Sequence, residues 1–294
     1  MPIPIPQAVD DAAGVARMKA NQARRLPAYL FSSALAGAYV GIAVVVLVSI
    51  SAPLAAAGNP ATKLVQAAVF GIALVLVVFA GSELFTGNAM FMIQGLRAGS
   101  VTMSDLMGVW VASLFGNLVG SMAVAGIVNA GGTLAAGAAN GRPGAGQALI
   151  NTIVESKNSL TGGQLFWRSV LCNMLVCLAL WMAGRASGDG AKLVVLWWPL
   201  LAFIGSGFEH SIANMTIYSL GVFGGTAEWG DLARNLLYTV PGNVVGGGIL
   251  VGLGYAWLGG AKPAPAPADV DLATEPVLVT VPATNGAGAE PARA

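Results

Sequence analysis

The sequence predicts an all-α integral membrane protein: six transmembrane helices in two inverted three-helix repeats, with helices two and five broken. Three observations predict it. Only 9% of the 294 residues are charged and 56% are apolar, with a mean hydropathy of +0.74. A soluble domain carries about a quarter charged residues, so this chain cannot cover a water-facing surface. Six apolar segments reach the ~20 residues that a helix needs to cross a bilayer. A polar pattern also recurs: Glu83, Asn88 and Asn117 precede Glu209, Asn214 and Asn243 by 126 residues each, and Gly116 and Gly120 precede Gly242 and Gly246 by the same offset.

Taken in order, residues 1–27 hold Pro2, Pro4 and Pro6 and then Arg17, Lys19, Arg24 and Arg25. Asp10, Asp11 and the basic cluster precede an apolar run too long for a signal-peptide core, so no cleavable signal fits. Residues 10–26 read either as a short helix lying on the membrane face or as a solvated tail. The spans fall at about 28–50, 63–97, 105–130, 161–184, 193–222 and 235–259, within a transmembrane domain of residues 28–260. Segments two and five are too long for a simple crossing, and both carry the polar pattern. A Gly/Ala-rich stretch, 131–147, joins the halves. Cys172 and Cys177 share the fourth segment at a spacing that points them to different faces. With a single histidine in the chain, neither a disulfide nor a transition-metal site nor a cofactor is expected. From Lys262 the chain turns Pro/Ala-rich, and residues 261–294 read as a disordered tail.

Orientation follows from the basic residues. With the N-terminus inside, Arg17, Lys19, Arg24, Arg25, Arg97, Arg185, Lys192, Lys262 and Arg293 face the cytoplasm, against Lys63, Arg142, Lys157, Arg168 and Arg234 outside. Both termini are therefore expected in the cytoplasm, with the chain in the cytoplasmic (inner) membrane. Trp167, Trp181, Trp197, Trp198 and Trp257 lie near span ends, as an interfacial belt requires.

Three crossings per half make the second half enter from the opposite side, so the repeat is inverted. The interruptions, Gly81 to Asn88 and Gly205 to His210, then meet near the midplane. Non-helical backbone is tolerated there only where it is buried in protein or lines a cavity. Asn88 and Asn214 are expected to satisfy freed backbone groups or to cap the second half-helices. Glu83 and Glu209 are expected to brace their loops by accepting backbone N–H bonds. His210 is the only histidine and follows Glu209 directly. An ionisable pair at this depth marks a functional site, although a satisfied structural histidine is the competing reading. A net charge of +1 argues against a nucleic-acid partner. No Ser/His/Asp arrangement or His-rich spacing supports an enzyme.

Phe208-Glu209-His210-Ser211-Ile212-Ala213-Asn214-Met215 resembles the fifth-helix signature of the formate/nitrite transporter family. Gly81-Ser82-Glu83-Leu84-Phe85-Thr86-Gly87-Asn88 is similar to its second-helix loop. Phe115-Gly116-Asn117-Leu118-Val119-Gly120 and the run from Asn173 to Met182 resemble its third and fourth helices. The likeness covers about residues 15–260. Within the family, Ala36-Gly37-Ala38-Tyr39-Val40-Gly41, the run Trp197 to Ile204 and Asn214-Met215-Thr216 look most like the nitrite channels.

The resemblance implies a homopentamer in which each subunit has an aquaporin-like fold and its own pore. It places the family's central histidine on His210, its loop threonine on Thr86 and its outer-vestibule lysine on Lys157, counted back from the matching Asn173. It places the narrow apolar slits on Phe70, Leu74, Phe85, Phe203 and Val176. Where the family often has Asp, this chain has Glu83.

The function so implied is passage of a small weak-acid anion, nitrite first. Formate, hydrosulfide, acetate, lactate and a neutral solute stay open as alternatives. A lone anion loses its hydration in an apolar constriction, and protonation removes that cost. Lys157 would draw the anion in, His210 would donate or share a proton, and Thr86 would position the imidazole or the anion. A rival scheme keeps His210 neutral as a selectivity filter.

Overall fold

In the computed structural model, which describes residues 1–139 and 141–260, six helices are long and apolar enough to cross a membrane. Helix α1 (Ile5–Ala23) precedes the first crossing, α2 (Leu26–Ala56). The second crossing is made in pieces: α3 (Thr62–Val69), α4 (Ile72–Phe79) and, after the non-helical stretch 80–84, α5 (Phe85–Arg97). Helix α6 (Met103–Ala130) is the third, and α7 (Ala145–Asn158) caps the far face. Helix α8 (Gly162–Arg185) is the fourth. The fifth is split into α9 (Asp189–Ser206) and α10 (Ser211–Phe223). The sixth runs from α11 (Trp229–Val244) through a π-helical stretch, Val245–Leu253, into α12 (Gly254–Leu258). The segment 261–294, read above as a tail, lies outside the described residues.

Two hydrogen-bond sets show how the halves correspond. Asn117 Nδ2 donates to the carbonyls of Ser33 and Glu83, and its Oδ1 accepts from Phe85 N–H. Asn243 does the same with Ser169, Glu209 and Ser211. Glu83 N–H donates to Ser32 carbonyl as Glu209 N–H does to Arg168 carbonyl. Positions on α2 and α8 thus correspond at an offset of 136, while the later elements of each half keep 126. The asparagines at 117 and 243 satisfy backbone groups that the breaks leave without helical partners.

Glycine sets the crossings that hold these asparagines in reach. A side chain on Gly120 would collide with the Ala34 carbonyl of α2, and one on Gly246 with the Val170 carbonyl of α8. Small residues let the helix backbones touch, so packing contacts replace the hydrophobic drive that lipid does not supply. Large apolar side chains such as Phe31, Phe115, Ile127, Trp167 and Leu237 remain exposed on the outside.

Helix α1 does not stand apart as a solvated tail but packs on the bundle. It begins earlier than the sequence suggests and buries one face, Ala8, Val9, Ala12, Ala13, Ala16, Lys19 and Ala20, against the bundle. Ser100 Oγ donates to Ala13 carbonyl, and Ile3 and Arg185 exchange backbone and side-chain bonds. Alanine's small side chain permits the close approach, which ends on α5 and α6.

Candidate functional site

The two breaks bring Thr86 and His210 together. Thr86 is the second residue of α5 and His210 is the N-cap of α10. Thr86 Oγ1 lies 3.1 Å from His210 Nε2, across 124 residues of sequence, and both side chains are buried. His210 Nδ1 accepts the Ala213 N–H at 3.1 Å. That bond satisfies an orphan donor of the helix N-terminus and needs an unprotonated Nδ1. The neutral imidazole that fits carries its proton on Nε2, aimed at Thr86.

An apolar gap of about 10 Å³ adjoins the histidine, lined by Val40, Phe70, Leu74, Leu84, Val176 and Phe203 among others. A cavity needs roughly 10–15 Å³ to hold one water, so the gap has room for about one water at most. Phe203 stacks on His210 with 5.9 Å between ring centres and meets Phe70 edge-on at 5.7 Å. Phe70, Leu74, Phe203 and Val176 therefore line one small gap beside His210. Phe85 does not line it: the ring packs edge-on against Trp110 at 6.3 Å, while its N–H is held by Asn117. Leu84, the residue before it, lines the gap instead and reaches the cavity on the α1 side as well.

Each break carries an ion pair, buried at Glu83 and part-buried at Glu209. Lys157, at the end of α7, places Nζ 2.8 Å from both carboxylate oxygens of Glu209. Lys19 of α1 does the same to Glu83 at 2.8 Å. Asn214 Nδ2 donates to Glu209, and Asn88 Nδ2 and Tyr29 Oη donate to Glu83. The glutamates thus brace the breaks through side-chain donors, not through backbone N–H groups as the sequence reading expected. Asn88 and Asn214 likewise bind these carboxylates and cap nothing; the caps are Asn117, Asn243 and His210 itself. Lys157 is paired, so its charge is partly compensated, and Lys63 and Arg168 add positive charge nearby.

Asn173 donates to the carbonyls of Thr86 and Asn243, bridging the two halves. On the α1 side a cavity of about 100 Å³ is lined by Asp11, Lys19, Ser82, Asn88, Phe91 and Arg185 among others. Partial burial, with the Asp10 carboxylate beside it, raises the Asp11 carboxyl from its ordinary value. Lys19, Tyr29 and Leu84 were missed by sequence reasoning. Lys19 was read only as one of the basic residues that set the orientation, and neither glutamate was expected to pair with a lysine.

The formate/nitrite transporter family model matches residues 6–257. The nitrite transporter NirC of Escherichia coli (strain K12) is 41% identical over 249 residues, covering 83% of this chain and 87% of that protein. The formate channel BtFdhC of Bacillus thuringiensis is 35% identical over 230 residues, covering 78% and 86%. Among solved structures, an FNT family ion channel aligns with a TM-score of 0.78 at 37% identity, covering 86% of this chain and 98% of that one. A pentameric formate channel with formate bound aligns with a TM-score of 0.66 at 28% identity, covering 81% and 99%. With six apolar crossings, two braced interruptions and a family match over nearly all the described residues, the chain belongs to the formate/nitrite transporter family.

Proposed function

We propose that this chain is a channel for a small weak-acid anion, nitrite first, acting as a homopentamer in the cytoplasmic membrane with both termini on the cytoplasmic side. The observation that carries this reading is the Thr86–His210 contact beside an apolar gap, set between two lysine–glutamate mouths. The similarity to a nitrite transporter puts nitrite ahead of formate, and the pentameric formate channel supports the assembly.

The mouths attract the anion, and the gap then strips its water. A bare charge there is costly, and a proton taken up from water at the mouth gives the neutral acid. The Nε2–H of His210 and the Thr86 hydroxyl offer polar contacts within the apolar ring. The bond from Ala213 to Nδ1 supports a neutral histidine that donates a hydrogen bond. An imidazolium relay would need a proton on the nitrogen that faces this N–H, so the filter role is the reading we favour over proton transfer by His210.

Nitrite uptake and internal pH followed together in liposomes test this. One proton should enter with each nitrite, and His210→Asn should lower the flux on the order of tenfold while the remaining flux stays proton-coupled. Flux that persists in His210→Asn without proton movement would count against passage as the acid. Osmotic swelling with no nitrite uptake would instead mark a pore for neutral solutes.

A further inference from the structure

We propose that Gly247 and Cys177 are positioning residues that hold Thr86 against His210, an inference that rests on the conducting role given to that pair above. The Thr86 carbonyl accepts from Asn173 Nδ2 at 3.0 Å and from Cys177 Sγ at 3.3 Å. Both donors come from α8, one turn apart, and both are fully buried. Opposite them stands Gly247, inside the π-helical stretch of the sixth crossing. A side chain on Gly247 would collide with Asn173 Nδ2 and come within 2.6 Å of Cys177 Sγ. The missing side chain leaves the space in which the amide and the thiol reach the Thr86 carbonyl. Thr86 sits in the first turn of α5, so a shift of its carbonyl moves its hydroxyl relative to the imidazole.

The pseudo-symmetry gives independent support. By the correspondence of the two halves, His210 pairs with Leu84, Thr86 with Ile212, Asn173 with Gly37, Cys177 with Gly41 and Gly247 with Ser121. The bracing residues Glu83 and Glu209, Asn88 and Asn214, and Asn117 and Asn243 are instead identical between the halves. Donors to the carbonyl and the glycine that admits them thus stand only in the half that carries the histidine's side of the contact. Small and polar residues have exchanged places between the two crossings: Gly37 on α2 faces α6, where Ser121 donates to its carbonyl at 3.4 Å, whereas Asn173 on α8 faces Gly247. A π-helical turn at this crossing fits the tendency of such turns to mark functional sites.

The chain's single histidine makes the test direct, because 15N-histidine labelling yields one imidazole spin system. Gly247→Ala should displace the Nε2 resonance and lower nitrite flux in liposomes on the order of tenfold, since small misplacements of a site group are amplified in rate. Cys177→Ala should displace the same resonance less and lower flux about threefold, the scale of one hydrogen bond. Cys177→Ser restores a donor and should return both. An unmoved Nε2 resonance in assembled Gly247→Ala and Cys177→Ala protein overturns the proposal. Should Gly247→Ala not assemble, the two cysteine variants decide it alone. A displaced resonance with wild-type flux leaves the positioning in place and removes the conducting role of His210 instead.

Discussion

Glu83 is nearly inaccessible, and its carboxylate is neutralised by a lysine that enters from a different part of the chain. Removing one member of such a pair leaves an uncompensated buried charge, whereas removing both does not. Glu83→Gln should therefore destabilise the protein on the order of 3 kcal/mol, seen as a lower Tm in detergent. Lys19→Met combined with Glu83→Gln should recover part of that loss, and a double variant melting as low as the single one would refute the pairing argument. Glu209→Gln should be milder, because the Lys157 side chain keeps 13% of its surface in contact with solvent. The sequence made His210, Glu209 and Glu83 legible because isolated polar groups stand out in apolar runs. Lys19 was hidden by its company: it sits among Arg17, Arg24 and Arg25, and a basic cluster next to a first crossing reads as a topology signal. Phe85 was misjudged because adjacency to a break does not say which way a ring turns; the Asn117 bond to its N–H fixes the backbone, and Trp110 takes the side chain.

The helices show the same division between what periodicity reveals and what tertiary contacts decide. Length and hydropathy marked every crossing, and the glycines and the matching glutamates marked both interruptions. The gap between α3 and α4 was not visible. Trp197 Nε1 donates to the Ala68 carbonyl at 2.7 Å, taking an acceptor from the helix ladder, and Gly71 leaves room for the indole. Insertion of a side-chain donor into the ladder is a known cause of a kink, and its source lies 129 residues away. The π-helical stretch is equally silent in the sequence, since Gly246-Gly247-Gly248 reads as close packing and nothing more. Mirrored glycines make a prediction at this scale. Gly120→Ala and Gly246→Ala each force a methyl group onto a facing carbonyl, so both should depress the yield of folded protein on size exclusion by similar amounts. Gly14, with open space around it on α1, provides the contrast: Gly14→Ala should be tolerated and should gain about 0.5–1 kcal/mol from the helix preference for alanine. Normal yield from Gly246→Ala would mean that the crossing of α8 with the π-helical stretch has slack.

Considered whole, the molecule is built from two halves of inverted topology that meet at a single apolar gap. Each mouth holds a lysine on a helix outside the core crossings, Lys19 on α1 and Lys157 on α7, aimed at the glutamate of the nearer break. The two lysines are not sequence mates under either offset, so the same electrostatic arrangement is reached from unrelated positions. If the acid passes this gap as proposed, it does so in either direction, and because each entrance presents a lysine–glutamate pair, the driving force alone should set the direction of flux. Liposomes with protein in mixed orientation cannot test this; protein inserted in one orientation, verified with a membrane-impermeant label, can. Equal and opposite nitrite gradients at matched pH should then give initial influx and efflux within about twofold of each other, the spread expected when mouth electrostatics differ only modestly. Lys19→Met should slow exit from the N-terminal side and Lys157→Met entry from the other, each without abolishing the reverse flow. Strict one-way flux in the oriented preparation would show that the α1 cover, and not the shared gap, governs passage, and the functional equivalence of the halves would then be lost even though their backbones correspond.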